Sequence, residues 1–170
     1  MTVRAYGPSA SFCPRCAEPL PGAPPTVCAG CGYQLFVNAR PTVNLVVLDG
    51  SRFLALKRAA QPRAGRWETP GGFCDGWEHP TEAAVREGRE ELGTEIILGD
   101  LIGTYVGSYE FQGETLPVLE FFFLATLAGQ VRLNPAESSE LAWFDLRKHP
   151  PLAFGTMDRA IRDLAESLGN

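Results

Sequence analysis

One stretch of the chain, PGGFCDGWEHPTEAAVREGREELG at positions 70–93, restricts the possible folds more than any other. A Gly-Gly pair, which lets the backbone approach a ligand closely, precedes a run of helical character that a glycine ends. At about 100° per residue, Glu87, Glu90 and Glu91 fall within a sector of roughly 100°. The stretch therefore predicts a helix over residues 81–92 with three carboxylates on one face.

Three carboxylates on one helix face repel one another, because like charges at i,i+4 destabilise a helix. A bound cation commonly offsets such repulsion. Oxygen ligands in this number suit Mg²⁺ or Mn²⁺ rather than Zn²⁺. The alternative is an ordinary solvated helix face, which needs no ion.

The charged residues and glycines of this stretch resemble the Nudix box in identity and spacing. The matching positions are Gly72, five residues, Glu78, seven residues, Arg86-Glu87, two residues, Glu90-Glu91, one residue and Gly93. Gly88 and Thr94 depart from the pattern, since the family usually has apolar residues there. Gly88 costs about 1 kcal/mol of helix stability relative to alanine, so we expect it to allow close packing of the helix on the sheet.

The resemblance implies an α/β fold, the Nudix α/β/α sandwich with a mixed sheet. The pattern of strands and helices agrees. It predicts strands at TVNLVVLD and FLALKR joined by a turn at Asp49-Gly50-Ser51, then the acidic helix. Strands follow at IIL, LIGTYVGSYEF, LPVLEFFFLAT, VRL and LAWFDL, and a helix at MDRAIRDLAESLG closes the chain.

The resemblance also implies the chemistry, since Nudix hydrolases cleave a nucleoside diphosphate linked to another group X. Glu87, Glu90 and Glu91 would hold Mg²⁺ or Mn²⁺, with the carbonyl of Gly72 as a further ligand. Arg86 would orient the cluster together with Glu78. Bound metals neutralise phosphate charge and lower the pKa of the attacking water.

The general base is left open between a glutamate of the box and one from a later loop. In NPAESSELAWF, Glu137 and Glu140 lie just before a predicted strand, and we take Glu137 as the candidate. A loop with solvated acids is the alternative.

Three arginines that precede the box, Arg58, Arg63 and Arg66, are candidate contacts for substrate phosphates, because Arg binds phosphate oxygens bidentately. The alternative is that they are ordinary loop charges. Trp67 is expected to belong to the core.

Four of the five cysteines form the pairs Cys13-x-x-Cys16 and Cys28-x-x-Cys31, separated by eleven residues rich in turn formers. This spacing predicts a structural Cys₄ zinc site, with two disulfides as the alternative. We expect residues 1–37 to form a zinc ribbon with an N-terminal lead, and residues 38–170 to form the Nudix domain. Cys74 has no partner in the pattern.

The net charge of −5 argues against general affinity for nucleic acid or an anionic membrane surface. No apolar run is long enough to span a bilayer, and the N-terminus lacks a signal-peptide pattern, so a cytoplasmic location is expected. The Nudix resemblance implies a small nucleotide substrate as the partner, and it makes a homodimer possible.

A zinc ribbon before a Nudix domain is similar to two groups. NADH pyrophosphatases share the layout but carry a Ser-Gln-Pro-Trp-Pro-Phe-Pro array that this chain lacks. The hydrolases of ADP-ribose and FAD are the better match, which predicts AMP and a 5′-phosphate as products. The alternatives are NADH or a nucleoside triphosphate as substrate, or a regulatory module that binds a nucleotide without turnover.

Overall fold

The structure, a computed structural model, describes residues 10–169. Strands β1 (Thr26–Val27) and β2 (Gln34–Leu35) form a small antiparallel sheet. Helix α1 spans Pro80–Leu92 and helix α2 spans Gly155–Leu168. The strands of the larger sheet are β3 (Arg40–Asp49), β4 (Arg52–Arg58), β5 (Trp67–Glu68), β6 (Ile96–Phe111), β7 (Glu114–Leu127) and β8 (Ser138–Asp145).

The larger sheet runs in the order β5-β4-β3-β7-β6, with β8 paired to β4. Strands β3 and β4 are antiparallel and meet at the predicted turn, where Gly50 has φ 61°. Strand β8 is also antiparallel to β4 and places Ser138 opposite Arg58, next to a register shift between Lys57 and Arg58. The C-terminal end of β4 is therefore joined to the start of β8, directly after Glu137.

The two faces of this sheet carry separate cores, because successive side chains of a strand point to opposite faces. On one face Val43 and Leu45 pack with Ala84 of α1. On the other face Val46 packs with Ile161 of α2. The predicted α/β/α sandwich with a mixed sheet is confirmed.

Helix α1 ends at Leu92 as predicted and begins at Pro80, one residue before the predicted start. His79 is the N-cap, Pro80 takes the first helical position, and the Glu82 side chain accepts from the His79 N–H in a capping box. Gly93 ends the helix in the left-handed conformation with φ 60°.

Gly88 faces the sheet, as expected. A Cβ built on it would lie 2.6 Å from Leu45 Cδ1 and 2.7 Å from Ile96 Cγ1. The helix can approach the sheet this closely only because the position has no side chain.

One predicted strand is wrong. VRL, residues 131–133, has no strand structure. The Arg132 N–H donates instead to the Leu92 carbonyl at 2.8 Å, and the Asn134 N–H donates to the Glu91 carbonyl at 3.1 Å. The last carbonyls of a helix have no partner within it, and this segment supplies two donors to them.

The chain divides into two compact units. One contains the described residues up to Arg40 together with Ser108–Val118, and the other contains Pro41–Gly107 and the described residues from Leu119 onward. The boundary at 37/38 stays a prediction. Neither helix in residues 10–169 is long and apolar enough to cross a membrane.

Candidate active site

The turn before α1 is held between β3 and the helix. The Leu45 N–H donates to the Pro70 carbonyl at 2.7 Å, and the Val43 N–H donates to the Gly72 carbonyl at 2.8 Å. Gly71 has φ 148°, and a Cβ there would lie 2.0 Å from the Val43 carbonyl oxygen. Only glycine fits this position, and it lets the Gly71 N–H donate to Glu91 Oε2 at 2.9 Å.

The three acids of α1 differ in exposure. Glu91 is 6% exposed, the Glu87 side chain is 14% exposed and the Glu90 side chain is 51% exposed. Arg86 Nη1 lies 2.8 Å from Glu87 Oε1 and 3.3 Å from Glu90 Oε2, while Glu91 turns to Gly71. The acids thus share one side of the helix, with their oxygens directed to Arg86 and to the turn.

Arg86 connects the helix to the loop before it. Its Nε and Nη2 each lie 2.9 Å from an oxygen of Glu78, and Nη2 also donates to the Phe73 carbonyl at 3.0 Å. Hydrogen bonds from Arg86, followed by the Asp75 N–H, lower the pKa of Glu78 to about 2. The contacts match the orienting role that the Nudix resemblance implies for this pair.

The buried carboxylates raise one another's pKa. Burial, followed by the charge of Glu68, raises the pKa of Glu91 well above its ordinary value, although the Gly71 N–H opposes this. Burial also raises the pKa of Glu87, and the hydrogen bond from Arg86 opposes it. Neighbouring buried carboxylates of this kind are the donor set that a hard divalent cation would stabilise in the ionised form.

Glu137 lies at the edge of this acidic region. Its carbonyl accepts from the Ala59 N–H at 2.8 Å, which joins its loop to the end of β4. Its charge contributes to the raised pKa values of Glu68, Glu87 and Glu91. The exposed side chain of Glu137 is therefore both near the buried acids and accessible to solvent.

Glu140, the other acid of that segment, takes a different partner. Its Oε1 accepts from Lys57 Nζ at 2.7 Å, and Lys57 lies over the ring of Trp67. Trp67 packs at 5.1 Å from Phe144 in the core beside α2, so the prediction that it belongs to the core is confirmed. Glu140 is thus held away from the acids of α1.

The three arginines before the box are close to one another but have different side-chain partners. Arg58 pairs with Glu68, donates from Nε to the Pro62 carbonyl at 2.8 Å and lies over the ring of Phe154. Arg63 donates to the Ala153 carbonyl and lies over the same ring. Arg66 is exposed and pairs through its backbone with Arg58 and Arg63.

Glu68 was missed by the sequence reasoning. It is 6% exposed, it pairs with Arg58, and burial raises its pKa to about 7 although Arg58 opposes the rise. The available signal was its position in β5 next to Trp67, since a neighbour of a core residue in a strand points to the opposite face. That face carries the acids of α1.

The four cysteine sulfur atoms lie within 4.8 Å of one another, and the cysteines are the one group of three or more His, Cys, Asp or Glu in residues 10–169 to do so. Burial raises the pKa of Cys13, but backbone N–H groups of Arg15 and Cys16 outweigh it and bring this pKa to about 7. The Glu18 N–H lowers the pKa of Cys16, but the neighbouring thiols of Cys31 and Cys28 outweigh it, so that this pKa is raised to about 12. Four close thiols without disulfides are a donor set that could hold zinc.

The sequence that forms this site matches a known protein family. The family model of the NUDIX domain matches residues 38–164. The chain belongs to the Nudix family. It is a Nudix hydrolase, and the matched range contains α1, the Gly-Gly turn and Glu137.

Two curated relatives carry more specific names. The chain is 29% identical over 123 residues to an ADP-ribose pyrophosphatase of Methanocaldococcus jannaschii, covering 72% of this chain and 71% of the relative. It is 24% identical over 147 residues to an NAD-capped RNA hydrolase NudC of Pseudomonas putida, covering 85% of this chain. The chain spans about half the length of that second relative, 51%.

Solved Nudix structures agree with the fold. A MutT NUDIX hydrolase from Burkholderia pseudomallei superposes with a TM-score of 0.66 at 27% identity, over 75% of this chain and 98% of that one. A NUDIX hydrolase from Nitrosomonas europaea gives a TM-score of 0.73 at 22% identity, over 92% of this chain and 91% of that one. The second similarity supports the fold alone.

Proposed function

We propose that this Nudix hydrolase is a divalent-metal-dependent pyrophosphatase that acts on ADP-ribose, FAD or a similar nucleoside diphosphate derivative. The observation that carries the proposal is the buried Glu91, which accepts from Gly71 and shares its acidic surroundings with Glu68, Glu87 and Glu137. A buried carboxylate with further acids around it suits a cation and, through it, a diphosphate. The products would be AMP and the matching 5′-phosphate.

The residues that would hold Mg²⁺ or Mn²⁺ are Glu87, Glu90 and Glu91. The Gly72 carbonyl is the proposed backbone ligand. It already accepts from the Val43 N–H, and a carbonyl oxygen has a second lone pair that could face an ion. Divalent ions at this site would neutralise phosphate charge and lower the pKa of a coordinated water.

Glu137 is the proposed general base. It would accept a proton from the attacking water as the water oxygen bonds to one phosphorus and the bridging P–O bond breaks. Its exposed carboxylate and its attachment to the end of β4 support this role. A base must come within hydrogen-bond reach of the proton that it takes.

Arg58 is the proposed contact for a substrate phosphate. Its pairing with the buried Glu68 orients the guanidinium on the same side of the sheet as the acids of α1. Arg66 is exposed on the adjoining loop and is the second candidate. Arg63 is engaged by the Ala153 carbonyl, which favours a structural role.

The substrate class is proposed from the named relatives and from the missing motif of the NADH enzymes. The ADP-ribose pyrophosphatase is matched over similar fractions of both chains. NAD-type substrates are the second candidate because the NAD-capped RNA hydrolases also match, though over half of their length. The cytoplasmic location, the homodimer and the structural zinc stay predictions.

Product analysis tests the function. The purified protein is incubated with ADP-ribose, FAD, NADH and nucleoside triphosphates, with Mg²⁺ or Mn²⁺, and the products are identified by mass spectrometry. Glu91→Gln should abolish AMP release. Glu95→Gln is the matched control, because Glu95 follows α1 but pairs with Arg89 on an exposed surface. Tight binding of a nucleotide without any turnover would instead support a regulatory module.

The base is tested by a second pair of variants. Glu137→Gln should lower kcat by about 10²–10⁴-fold, the usual contribution of general base catalysis, with metal affinity unchanged. Glu140→Gln should leave kcat near that of the wild type, since Glu140 pairs with Lys57. Near-complete turnover by Glu137→Gln would remove Glu137 from the mechanism.

A further inference from the structure

Asn134 has no assigned role, and it forms hydrogen bonds through every polar group that it has. Its Nδ2 donates to Glu137 Oε1 at 3.0 Å, and its Oδ1 accepts from the Ala136 N–H at 3.1 Å. Its carbonyl accepts from the N–H groups of Glu137 at 3.1 Å and Ser138 at 2.9 Å. The turn at 134–138 is therefore built around this one side chain and its peptide group.

The fifth hydrogen bond of Asn134 joins it to helix α1. The Asn134 N–H donates to the carbonyl of Glu91 at 3.1 Å. That carbonyl is among the last four of α1, which have no partner within the helix. Glu91 therefore makes two contacts: its carboxylate accepts from the Gly71 N–H, and its carbonyl accepts from Asn134 at the start of the turn that contains Glu137.

Glu137 is held from a second direction by the end of β4. Its carbonyl accepts from the Ala59 N–H, so its backbone position is set by the residue that follows Arg58. A backbone held in this way still leaves the rotamers of a glutamate free. In residues 10–169, the side-chain hydrogen bond that restrains the Glu137 carboxylate comes from Asn134 Nδ2.

An asparagine suits this position for a chemical reason. Its amide can donate to a carboxylate while its oxygen accepts from the backbone, whereas an ionised aspartate can only accept. Donation to Oε1 leaves Oε2 of Glu137 as an acceptor for a water proton. The contact therefore orients the carboxylate and keeps one oxygen for the reaction.

We propose that Asn134 is a positioning residue that holds the Glu137 carboxylate beside the metal-binding end of α1. The inference rests on the proposed role of Glu137 as general base. It adds that the base is joined to the helix through Asn134, so that both occupy one frame. A small displacement of a reacting group can cost a large factor in rate, and Asn134 limits this displacement.

A double-mutant cycle tests the proposal. Asn134→Asp keeps the size and the acceptor for Ala136, removes the donor and sets a like charge against Glu137. It should lower kcat about tenfold or more with KM nearly unchanged. In a Glu137→Gln background, where there is no base to orient, the same change should cost less than about twofold.

The outcomes separate positioning from a general loss of structure. An equal loss of kcat in both backgrounds would overturn the proposal, because it would show that Asn134 acts on the turn as a whole. Asn134→Ala is the second variant if Asn134→Asp folds poorly, since it removes the donor to Glu137 without adding a charge. An unchanged kcat in either variant would likewise overturn it.

The cycle also distinguishes this inference from the proposed function. If Glu137→Gln alone keeps wild-type turnover, both the base assignment and the positioning role fail. Metal-dependent hydrolysis can still stand in that case, because Glu91→Gln tests it separately. If Glu137→Gln lowers kcat but Asn134→Asp keeps the kcat of the wild type, the proposed function stands and the positioning role fails.

Discussion

Replacing Glu68 with glutamine should change how the stability of this protein depends on pH. Burial raises the pKa of Glu68 from 4.5 to about 7, while Arg58 opposes the rise and Glu137 adds to it. A carboxyl whose pKa is higher in the folded state stabilises that state below its unfolded pKa. The contribution is lost as the pH rises through the folded pKa.

The magnitude follows from the two pKa values. One pKa unit corresponds to about 1.4 kcal/mol, so a rise from 4.5 to about 7 corresponds to about 3 kcal/mol in full. Most of this, about 2.5 kcal/mol, is lost between pH 5 and pH 8. Glu68 is only 6% exposed, so solvent screening reduces this value little.

The assay is urea unfolding of the wild type and of Glu68→Gln from pH 5 to pH 8 without added divalent ions. The wild type should lose stability over this range, and the variant should lose about 2.5 kcal/mol less. Glutamine leaves Arg58 without a charged partner and lowers stability at every pH, so the difference between the two pH values is the measured quantity. Glu140→Gln is the control for removing one negative charge.

An equal loss of stability in wild type and variant would refute the reasoning. It would mean that Glu68 is ionised throughout this range, held so by Arg58. Added Mg²⁺ should reduce the wild-type loss if the acids near Glu68 bind it, because an ion bound to the folded state stabilises that state.

Three further predictions concern other parts of the molecule. Gly88→Ala should destabilise the protein by about 1–2 kcal/mol in urea unfolding. The clash of the new Cβ with Leu45 and Ile96 costs more free energy than alanine's better helix propensity contributes. A stabilised variant would contradict this. Cys28→Ser should remove bound zinc measured by atomic absorption, since it removes one of four close thiols; an unchanged zinc content would contradict the Cys₄ site. Arg86→Lys should lower stability in the same unfolding assay and slow turnover, because lysine cannot reproduce the paired contacts of Arg86 with Glu78. A neutral effect would contradict the orienting role.

The sequence allowed good prediction wherever the determining contacts are local. Helix α1 has its acidic face and its terminal glycine within one short run of residues, and the structure confirms its end at Leu92 and its start to within one residue. The β3–β4 turn and the two CxxC pairs are local in the same sense. The close packing expected at Gly88 was also confirmed. A glycine costs helix stability, so its presence inside a helix points to a position without room for a side chain.

Glu68 and Asn134 could not be found in this way. Each has an unremarkable position in the sequence, and each acquires its role from a partner on another element. Glu68 meets Arg58 because β4 and β5 are paired, and its charge reaches Glu91 because α1 covers that face of the sheet. The strand predicted at residues 131–133 is wrong for a related reason. The Arg132 N–H donates to the Leu92 carbonyl at the end of α1 and not to a neighbouring strand.

The Nudix family, the candidate metal ligands and the cysteine cluster thus follow from residue identity and spacing along the chain, because helical and turn geometry translate short spacings into positions. The burial of Glu91, its contact with Gly71 and the pairing of Glu140 with Lys57 depend on how β3, β4 and β8 bring distant segments together. Burial and electrostatic coupling arise only when separate elements pack, and those two quantities distinguish a candidate site from an acidic helix face.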